Sequence, residues 1–343
     1  MDIHYIYDRI VHHADHSGYD QLVKYIPSNK IAKNSLFSFF DLLPERLLAQ
    51  IRKSEGEWYN SNALKWELQN IPHYLLKKTA VFHFLYGEDT FRYSGYLNLR
   101  KSNKIVVTYH NPPPKIDRII SSKNHLNSID AVIVVSSQQR EYFKPWVDEG
   151  KIHLVHHGID TEFFHPVNKE CVPHRKSCLF VGTHLRDFGT LKQVIHKVNS
   201  IKSDIQFTIV TEKAAIGENH ELKNTRVIEK ISEDELLERY RNADVLLLPI
   251  IDCTANNTLL EAMACGVSII TNDVGGVRDY VDNRCAHIVE PGNIDVMADR
   301  LLTLLDNDDL RQEMSRKARE KSLQFDWKVI AERMKEVYTG LFL

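Results

Sequence analysis

The sequence predicts an α/β protein that is built from two doubly wound parallel sheets covered by helices. Short runs of branched apolar residues alternate with amphipathic helical segments along most of the chain. The runs are IHYIY, AVFHFLY, IVVTY, AVIVVS, IHLVHH, SCLFVG, QFTIVT, RVIEKI, DVLLLPI and VSIIT. This alternation is typical of parallel sheets, whose strands are buried on both faces by crossover helices.

The chain of 343 residues is long enough for two domains, each with its own core. The helical and strand periodicity breaks within residues 160–177, where Pro166, Pro173 and mixed charges follow one another. We therefore predict an N-terminal domain over residues 1–165 and a C-terminal domain over residues 166–325. The apolar pattern at the C-terminal end predicts two amphipathic helices, at about 307–323 and 326–340.

Composition excludes several classes of protein. The formal charge of −2 and the isoelectric point of about 6.8 give no reason to expect a nucleic-acid partner. No apolar run approaches the roughly 18–20 residues of a membrane helix, and the N-terminus does not resemble a signal peptide. The five cysteines lack CxxC spacing, so we expect neither disulfides nor a zinc site, and a cytoplasmic location.

The loops that follow the predicted strands are polar. In open parallel sheets, ligands bind at the carboxyl ends of the strands, so these loops are the expected binding region. Neither GxGxxG nor GxxxxGK[ST] occurs in the sequence, which argues against a dinucleotide fingerprint and a P-loop. The relevant loops are HHADHSGYD, HNPPPK, GTHLRDFG, TEKAAIGENH and IDCTANN.

One stretch, IDCTANNTLLEAMACGVSIITNDVGGVRDYV (250–280), predicts an anion site. Asn256 or Asn257 suits a helix N-cap, and Gly266 suits a left-handed C-terminal stop. The backbone N–H groups at such a helix start favour a phosphate. The Gly275–Gly276 pair predicts a loop that another group can approach closely. The alternative is an ordinary capped helix that packs on the sheet.

With these motifs in view, the sequence resembles the family 4 retaining glycosyltransferases of the GT-B fold, also described as glycosyl transferases group 1. The matching pieces occur in the family's order and are most specific over residues 130–290. They are HSGY, VTYHNP, DAVIVVSSQQREYF, IHLVHHGIDTEFFHP, LFVGTHLRDFGTL, VIEKISEDELLERYRNADVLLLP and NNTLLEAMACGVSIITNDVGGVRDYV.

The resemblance implies two facing Rossmann-like domains. The acceptor would bind to the N-terminal domain and the nucleotide-sugar donor to the C-terminal one. It also implies that the last segment, 326–343, crosses back to the N-terminal domain. Trp327, Ile330 and Met334 form an apolar stripe at helical spacing for that contact.

The family has two glutamates separated by seven residues. Glu261 matches the second, which the resemblance implies binds the donor ribose, and we predict it as a catalytic-site residue. The first glutamate falls on Cys253, and Asp252 lies one position away. The resemblance also implies that the diphosphate meets the segment of Asn256, Asn257, Thr258 and Leu259.

The family's cationic positions near the diphosphate hold Thr183 and Phe188 here. Arg186 is the one cation in that loop, and a guanidinium can bridge two phosphates. We weigh this role against that of a solvated loop charge. Lys213 is a second candidate by its position after a strand, and Lys230 with Ile231 lies where the family recognises the base.

His110 in TYHNP matches a histidine that the family places beside the donor sugar, so it is predicted as a catalytic residue. The alternative is a core histidine beside a proline-rich turn. Gly18 in HSGY would let the N-terminal loop approach the diphosphate.

We predict no metal and no cofactor other than the nucleotide-sugar co-substrate. His12, His13 and His16 share a loop without a metal-binding spacing, and we expect them on the acceptor side. The DNDD sequence at 306–309 lies between two helical segments, so helix capping explains it better than metal binding.

The predicted function is therefore transfer of a sugar, with retained configuration, to the hydroxyl of a glycan, lipid-linked or small-molecule acceptor. A UDP-sugar is favoured as donor over GDP-mannose. The resemblance leaves room for peripheral contact with the inner face of a membrane. The alternatives are a nucleotide-sugar epimerase or hydrolase on the same fold, and a nucleotide-sugar-binding protein without activity.

Overall fold

The computed structural model of the chain describes residues 1–7, 15–31, 35–40, 42–47, 49–50, 58–167, 176–217 and 222–343. Internal contacts divide the chain into two compact units. The first consists of Met1–His13, Tyr19–His157 and Lys328–Leu343, and the second of Ala14–Gly18 and Gly158–Trp327, with only the described residues of these ranges considered below.

The division between the units falls at 157/158, whereas the sequence predicted 165/166. Backbone hydrogen bonds explain this position. The N–H of Ile159 donates to the carbonyl of Phe325 over 2.9 Å, and the N–H of Trp327 donates to the carbonyl of Ile159 over 3.2 Å. Residues just before the predicted seam are therefore tied to the end of the second unit.

The first unit contains a six-stranded parallel sheet with strand order β2-β1-β3-β4-β5-β6. The strands are β1 Asp2–Ile6, β2 Asn29–Lys30, β3 Ala80–Phe84, β4 Lys104–Tyr109, β5 Ala131–Val134 and β6 Ile152–Leu154. Its helices and 3₁₀ turns are Tyr19–Lys24, Ser35–Phe40, Ser61–Gln69, Ile71–Leu76, Gly87–Thr90, Ser94–Leu97, Pro113–Ile119, Asn124–Ser128, Ser137–Phe143 and Glu149–Lys151.

The second unit contains another six-stranded parallel sheet, with strand order β12-β11-β10-β7-β8-β9. The strands are β7 Ser177–Val181, β8 Gln206–Val210, β9 Thr225–Ile228, β10 Val245–Leu248, β11 Ser268–Asn272 and β12 Ala286–Val289. Its helices and 3₁₀ turn are Phe188–Ile201, Lys213–Ile216, Glu233–Asn242, Asn257–Ala264, Val277–Tyr280, Ile294–Asp306, Asp308–Ser322 and Leu323–Phe325.

Two parallel sheets with flanking helices confirm the predicted fold class, and each predicted strand run contains a strand. Two strands, β2 and β12, are not predicted from the sequence. β2 has two residues, and β12 is a four-residue edge strand with a half-buried His287 and Ile288 at its centre. Such short edge strands carry too few buried apolar residues to produce a recognisable pattern.

Three local predictions about helix ends are confirmed. The side chain of Asn256 caps the helix Asn257–Ala264 by accepting from Leu259 N. Gly266 follows that helix with φ +65°, which is the left-handed conformation expected of a stop. Asn307 within DNDD caps the helix Asp308–Ser322 by accepting from Leu310 N.

The last helix, Trp327–Gly340, is counted mainly with the first unit, since that unit includes Lys328–Leu343. Ile330, Met334 and Tyr338 are fully buried, and the Tyr338 hydroxyl hydrogen-bonds His83 of β3. Trp327, which we expected to contact the N-terminal domain, belongs to the second unit. There its ring packs directly on Gly158. Among the described residues, no helix is both long enough and apolar enough to cross a membrane.

Gly158→Ala should destabilise the protein, because the new methyl group would overlap the ring of the buried Trp327. Overpacking of this kind costs typically about 1–3 kcal/mol. Gly150→Ala is the matched control, since an added Cβ there would meet no atom within 4 Å. Urea denaturation of both variants measures the difference. Equal free energies of unfolding would contradict the tight packing of Trp327 on Gly158.

Candidate active site

The second sheet reverses its strand order between β7 and β10. These strands are neighbours, while β8 and β9 continue on one side and β11 and β12 on the other. Ligands of doubly wound proteins bind at the carboxyl ends of the strands at such a point. The loops after β7 and β10 are joined there: Asp187 N donates to Pro249 O over 3.0 Å, and Ile251 N donates to Leu185 O over 2.9 Å.

Arg186 lies in this joined region and folds back over the end of β7. Its Nε donates to Val181 O at 2.9 Å, and Nη1 donates to His184 O at 3.0 Å. Gly182, with φ +97°, makes room for it, because a Cβ at this position would lie 2.6 Å from Nη2. The backbone of Leu185 is also left-handed, with φ +54°. Local strain at a non-glycine residue of this kind is typical of functional loops.

The guanidinium of Arg186 reaches the start of the helix Asn257–Ala264. Nη2 donates to Thr258 Oγ1 at 3.0 Å and lies 3.5 Å from Asn256 Oδ1. Burial lowers the pKa of Arg186 from its usual value. The first N–H groups of a helix have no acceptor within the helix, so this arrangement adds a half-buried cation to a helix N-terminus. Together they form a site suited to an anion.

Glu261 lies on the same helix, one turn further along, and is 4% exposed. Its Oε2 accepts a hydrogen bond from the Tyr240 hydroxyl at 2.8 Å, and its Oε1 accepts one from Ser17 Oγ at 2.8 Å. Burial raises the pKa of Glu261, although these two hydrogen bonds act in the opposite direction. The carboxylate therefore already binds two hydroxyl groups, one on each oxygen.

Residues 15–18 belong to the second unit and lie against this region. Glu233 accepts hydrogen bonds from Asp15 N at 2.6 Å and from His16 N at 2.9 Å. The ring of His16 stacks on Phe163, with centroids 3.8 Å apart. We expected His16 on the acceptor side, and the structure instead counts it with the unit that carries Glu261. His12 and His13, predicted beside it, lie outside the described residues.

Gly18 ends this segment with φ +101°, a conformation that strongly favours glycine. The preceding residue, Ser17, is the one that bonds Glu261. The glycine thus lets the chain turn directly after its contact with the carboxylate.

The position of the missing family glutamate holds a neutral thiol. Burial, reinforced by the charge of Asp252, raises the pKa of Cys253 to about 12. The Asp252 carboxylate accepts from Cys253 N at 2.8 Å, and burial raises its pKa as well. The sequence predicts that another group approaches the Gly275–Gly276 loop closely. That group is the segment of Asp252 and Cys253, because Gly276 N donates to Cys253 O at 2.8 Å.

The remaining predicted donor residues lie in the loops after β8 and β9. Lys213 is exposed, and its ammonium lies 3.4 Å from Glu229 Oε2. Lys230 is exposed and left-handed, with φ +51°, and Ile231 is half-buried. Lys213 therefore contacts Glu229, whereas Arg186 contacts Asn256 and Thr258 at the start of the helix Asn257–Ala264.

His110 lies in the first unit, just after β4. Its Nε2 hydrogen-bonds Leu85 O at 2.7 Å, so in the neutral ring Nε2 carries the proton and Nδ1 is the acceptor. The backbone N–H groups of His110 and Asn111 both donate to Glu88 Oε1. The rings of Tyr19 and Tyr86 lie 4.6 and 5.1 Å from the His110 ring, so its orientation is fixed from several sides.

Within the described part of the chain, no group of three or more histidine, cysteine or acidic side chains is arranged to hold a metal ion. The absence of a bound metal therefore stays a prediction for the whole chain.

Two family models match parts of the sequence. Residues 178–321 match the model of "Glycosyl transferases group 1", and residues 83–163 match "Glycosyltransferase Family 4". The chain belongs to the group 1 glycosyltransferases. This assignment confirms the resemblance found from the sequence motifs.

Curated relatives of this glycosyltransferase are distant. The alpha-maltose-1-phosphate synthase of Mycobacterium tuberculosis is 24% identical over 243 residues, which cover 61% of this chain and 62% of the relative. The phosphatidyl-myo-inositol mannosyltransferase of Mycobacterium leprae is 27% identical over 176 residues, which cover 48% of this chain and 46% of the relative. The chain thus spans less than two thirds of each of these relatives.

Solved structures show the same fold. Anabaena HepE in complex with UDP-glucose is 12% identical, with a TM-score of 0.70 over 99% of this chain and 100% of that one. At this identity the comparison supports the GT-B fold of the glycosyltransferase and no particular ligand.

Tyr240 and Ser17, whose hydroxyl groups hold Glu261, are not predicted from the sequence as site residues. Tyr240 lies on the buried face of the helix Glu233–Asn242 with Leu237, so its sequence context predicts a core residue. A tyrosine with its polar tip on a buried helix face was the available signal, since a buried hydroxyl needs a partner.

The stability of a Glu261→Gln variant should rise relative to wild type as the pH increases above about 4.5. The unfolded chain has the ordinary glutamate pKa of 4.5, whereas burial raises the pKa in the folded protein. Between the two values the folded state binds a proton that the unfolded state does not, so wild-type stability falls as the pH rises through this window. Glutamine does not titrate, and urea denaturation at several pH values measures the difference.

The control is Glu313→Gln, because a hydrogen bond from Arg316 lowers the pKa of the exposed Glu313. Its contribution is lost only as the pH falls below about 4.5, so above that pH the stability difference between Glu313→Gln and wild type should not change with pH. Parallel pH profiles for wild type and Glu261→Gln would show that the carboxylate is not held in a desolvated site.

Proposed function

We propose that this chain transfers a sugar from a nucleotide diphosphate sugar to an acceptor hydroxyl, with retention of the anomeric configuration. The observation that carries the proposal is the position of Arg186. Its guanidinium bonds Thr258 at the start of the helix Asn257–Ala264, and the same helix carries the hydroxyl-binding Glu261. A cation, a helix N-terminus and a carboxylate together suit a nucleoside diphosphate.

The diphosphate would bind between Arg186 and the first N–H groups of the helix. When the bond from the sugar to the phosphate breaks, negative charge grows on the departing phosphate oxygen. Donors held in place beside that oxygen would stabilise this charge with little reorganisation, which is a large source of catalysis. Thr258 contributes by holding the guanidinium in place through its Oγ1.

The ribose hydroxyls would bind Glu261. Its two oxygens accept hydrogen bonds from the hydroxyl groups of Tyr240 and Ser17, and each carboxylate oxygen has a second lone pair. The two hydroxyls of a ribose diol could donate to these second lone pairs, or one of them could replace the Ser17 hydroxyl. Tyr240 would continue to orient the carboxylate in either case. Tyr240 is therefore a positioning residue in this proposal.

His110 would act on the sugar or on the acceptor hydroxyl. Because Nε2 donates to Leu85 O, Nδ1 of the neutral ring has the lone pair that a sugar hydroxyl can donate to. The assignment rests on the family resemblance together with this fixed orientation.

A UDP-sugar is the proposed donor, and the acceptor is a glycan, a lipid-linked sugar or a small molecule. The preference for UDP over GDP-mannose comes from the sequence resemblance, and the solved HepE structures with UDP and UDP-glucose make UDP the first ligand to test. The reaction would proceed without a metal ion, in the cytoplasm, where nucleotide sugars are available.

Glu261→Gln should weaken nucleotide binding by about tenfold to a hundredfold. The amide loses the charge and one acceptor, and a charge-assisted hydrogen bond contributes roughly 1.5–3 kcal/mol. A thermal-shift screen of nucleoside diphosphates first identifies the ligand, since binding stabilises the folded state. Calorimetric titration of wild type and variant with that diphosphate then measures the change.

The loss should be the same with and without an attached sugar, because the contact is to ribose. Stabilisation by guanine nucleotides alone would overturn the choice of UDP. Equal affinities of two folded proteins would remove Glu261 from the site, and release of free sugar in place of a glycoside would favour the hydrolase or epimerase alternative.

Gly182→Ala should lower affinity for the same diphosphate by about tenfold or more, which is the loss expected when a charged donor is displaced. The new methyl group would lie 2.6 Å from Arg186 Nη2, and the flexible guanidinium would move away. Gly217→Ala is the matched control for backbone strain, because Gly217 also has a positive φ of +77° but no neighbour within 4 Å of an added Cβ. If both variants bind equally well, Arg186 does not contact the phosphates.

A further inference from the structure

Three leucines are exposed on two loops at the amino-terminal edge of the first sheet. Leu75 and Leu76 end the helix Ile71–Leu76 before β3, and Leu99 precedes β4. Their exposed fractions are 44%, 78% and 76%. Since β3 and β4 are neighbouring parallel strands, the loops that enter them lie at the same edge. Exposed apolar side chains that cluster in this way indicate an interaction surface.

The two loops are joined by buried and charged side chains. Asn103 is 1% exposed, and its Nδ2 donates to Tyr74 O at 3.1 Å and to Lys77 O at 3.2 Å. Its Oδ1 accepts from Ala80 N at 3.1 Å. Arg100 Nε donates to Leu75 O at 2.6 Å. The leucines are therefore presented on a fixed surface, so little ordering is needed when a partner binds.

The charged residues of these two loops are all basic. Residues 68–87 and 90–116 contain no aspartate or glutamate, although the whole chain carries a formal charge of −2. Lys77 pairs with Asp2 at 2.8 Å. Lys78, Arg100 and Lys101 are exposed, and none of them has an ion pair with another described residue. We call this surface of Leu75, Leu76, Lys78, Leu99, Arg100 and Lys101 the basic leucine patch.

We propose that the basic leucine patch contacts an anionic phospholipid bilayer. Leucine side chains insert at the boundary of headgroups and acyl chains, while lysine and arginine bind the anionic headgroups. A second copy of the chain fits less well, because a symmetric interface would place basic side chains against one another. The proposal does not depend on the identity of the sugar donor.

The test is flotation of the full chain with lipid vesicles. Vesicles of phosphatidylcholine alone are compared with vesicles in which about one third of the lipid is phosphatidylglycerol, since the anionic lipid supplies the attraction. Wild type should float with the anionic vesicles and remain below with the neutral ones. Binding should weaken as salt is added, because the charge attraction is screened.

Two double variants separate the two contributions. Leu76→Ser/Leu99→Ser should reduce the bound fraction about tenfold or more, through lost insertion of apolar surface. Lys78→Glu/Lys101→Glu should reduce it by a comparable or larger factor on anionic vesicles. The matched control is Ile201→Ser/Leu323→Ser, which removes side chains of the second unit that are 63% and 46% exposed. It should float like wild type.

Circular dichroism and thermal unfolding establish that each variant is folded before it is floated. Three results would overturn the proposal: no flotation of wild type, equal flotation of wild type with neutral and anionic vesicles, or flotation of the patch variants equal to that of wild type. A concentration-dependent dimer in light scattering that disappears in Leu76→Ser/Leu99→Ser would assign the patch to a second copy of the chain instead.

Discussion

The hydrogen bonds between the loops after β7 and β10 position Arg186 relative to the helix that carries Glu261. Because these strands are adjacent and parallel, their carboxyl ends meet, and Arg186 is held where the two loops join. The loop after β10 then leads into the helix Asn257–Ala264, which carries Thr258 and Glu261. The strand order of one sheet therefore fixes the relative positions of a cation, a helix start and a carboxylate.

Burial shifts the pKa values of Arg186 and Glu261 in opposite directions. It lowers the pKa of Arg186 and raises the pKa of Glu261, so it disfavours the charged form of each. Both groups are satisfied by neutral partners, which are carbonyls and a hydroxyl for the arginine and two hydroxyls for the glutamate. A ligand with an anionic phosphate and a neutral diol would suit both groups, with the phosphate at Arg186 and the diol at Glu261.

The fold was predictable because its information is local. Buried parallel strands are nearly continuous runs of branched apolar residues, as in VLLL of β10, and helix ends carry recognisable caps such as Asn256 and Asn307. The boundary between the units was less accessible. Prolines marked residue 166 as the seam, whereas the actual division follows hydrogen bonds between Ile159 and residues 325–327, which are remote in sequence.

The same distinction applies to the candidate site. Arg186, Asn256, Thr258 and Glu261 were predicted from loop position and family resemblance, and the structure brings Arg186 to Asn256 and Thr258. The partners of Glu261 were not predicted, because Ser17 and Tyr240 are 244 and 21 residues away in sequence. No pattern along the chain connects a loop serine or a core tyrosine to a particular carboxylate.

Cys253 shows what a single substitution changes in such a site. Its buried thiol is neutral, and a thiol is only a weak hydrogen-bond donor and acceptor. The neighbouring Asp252 already accepts from Cys253 N, and Gly276 N binds the carbonyl of Cys253, so the segment is committed to its own loop. Position 253 therefore offers a ligand little compared with a carboxylate. In the proposed donor complex, the affinity would then depend chiefly on phosphate contacts of Arg186 and ribose contacts of Glu261.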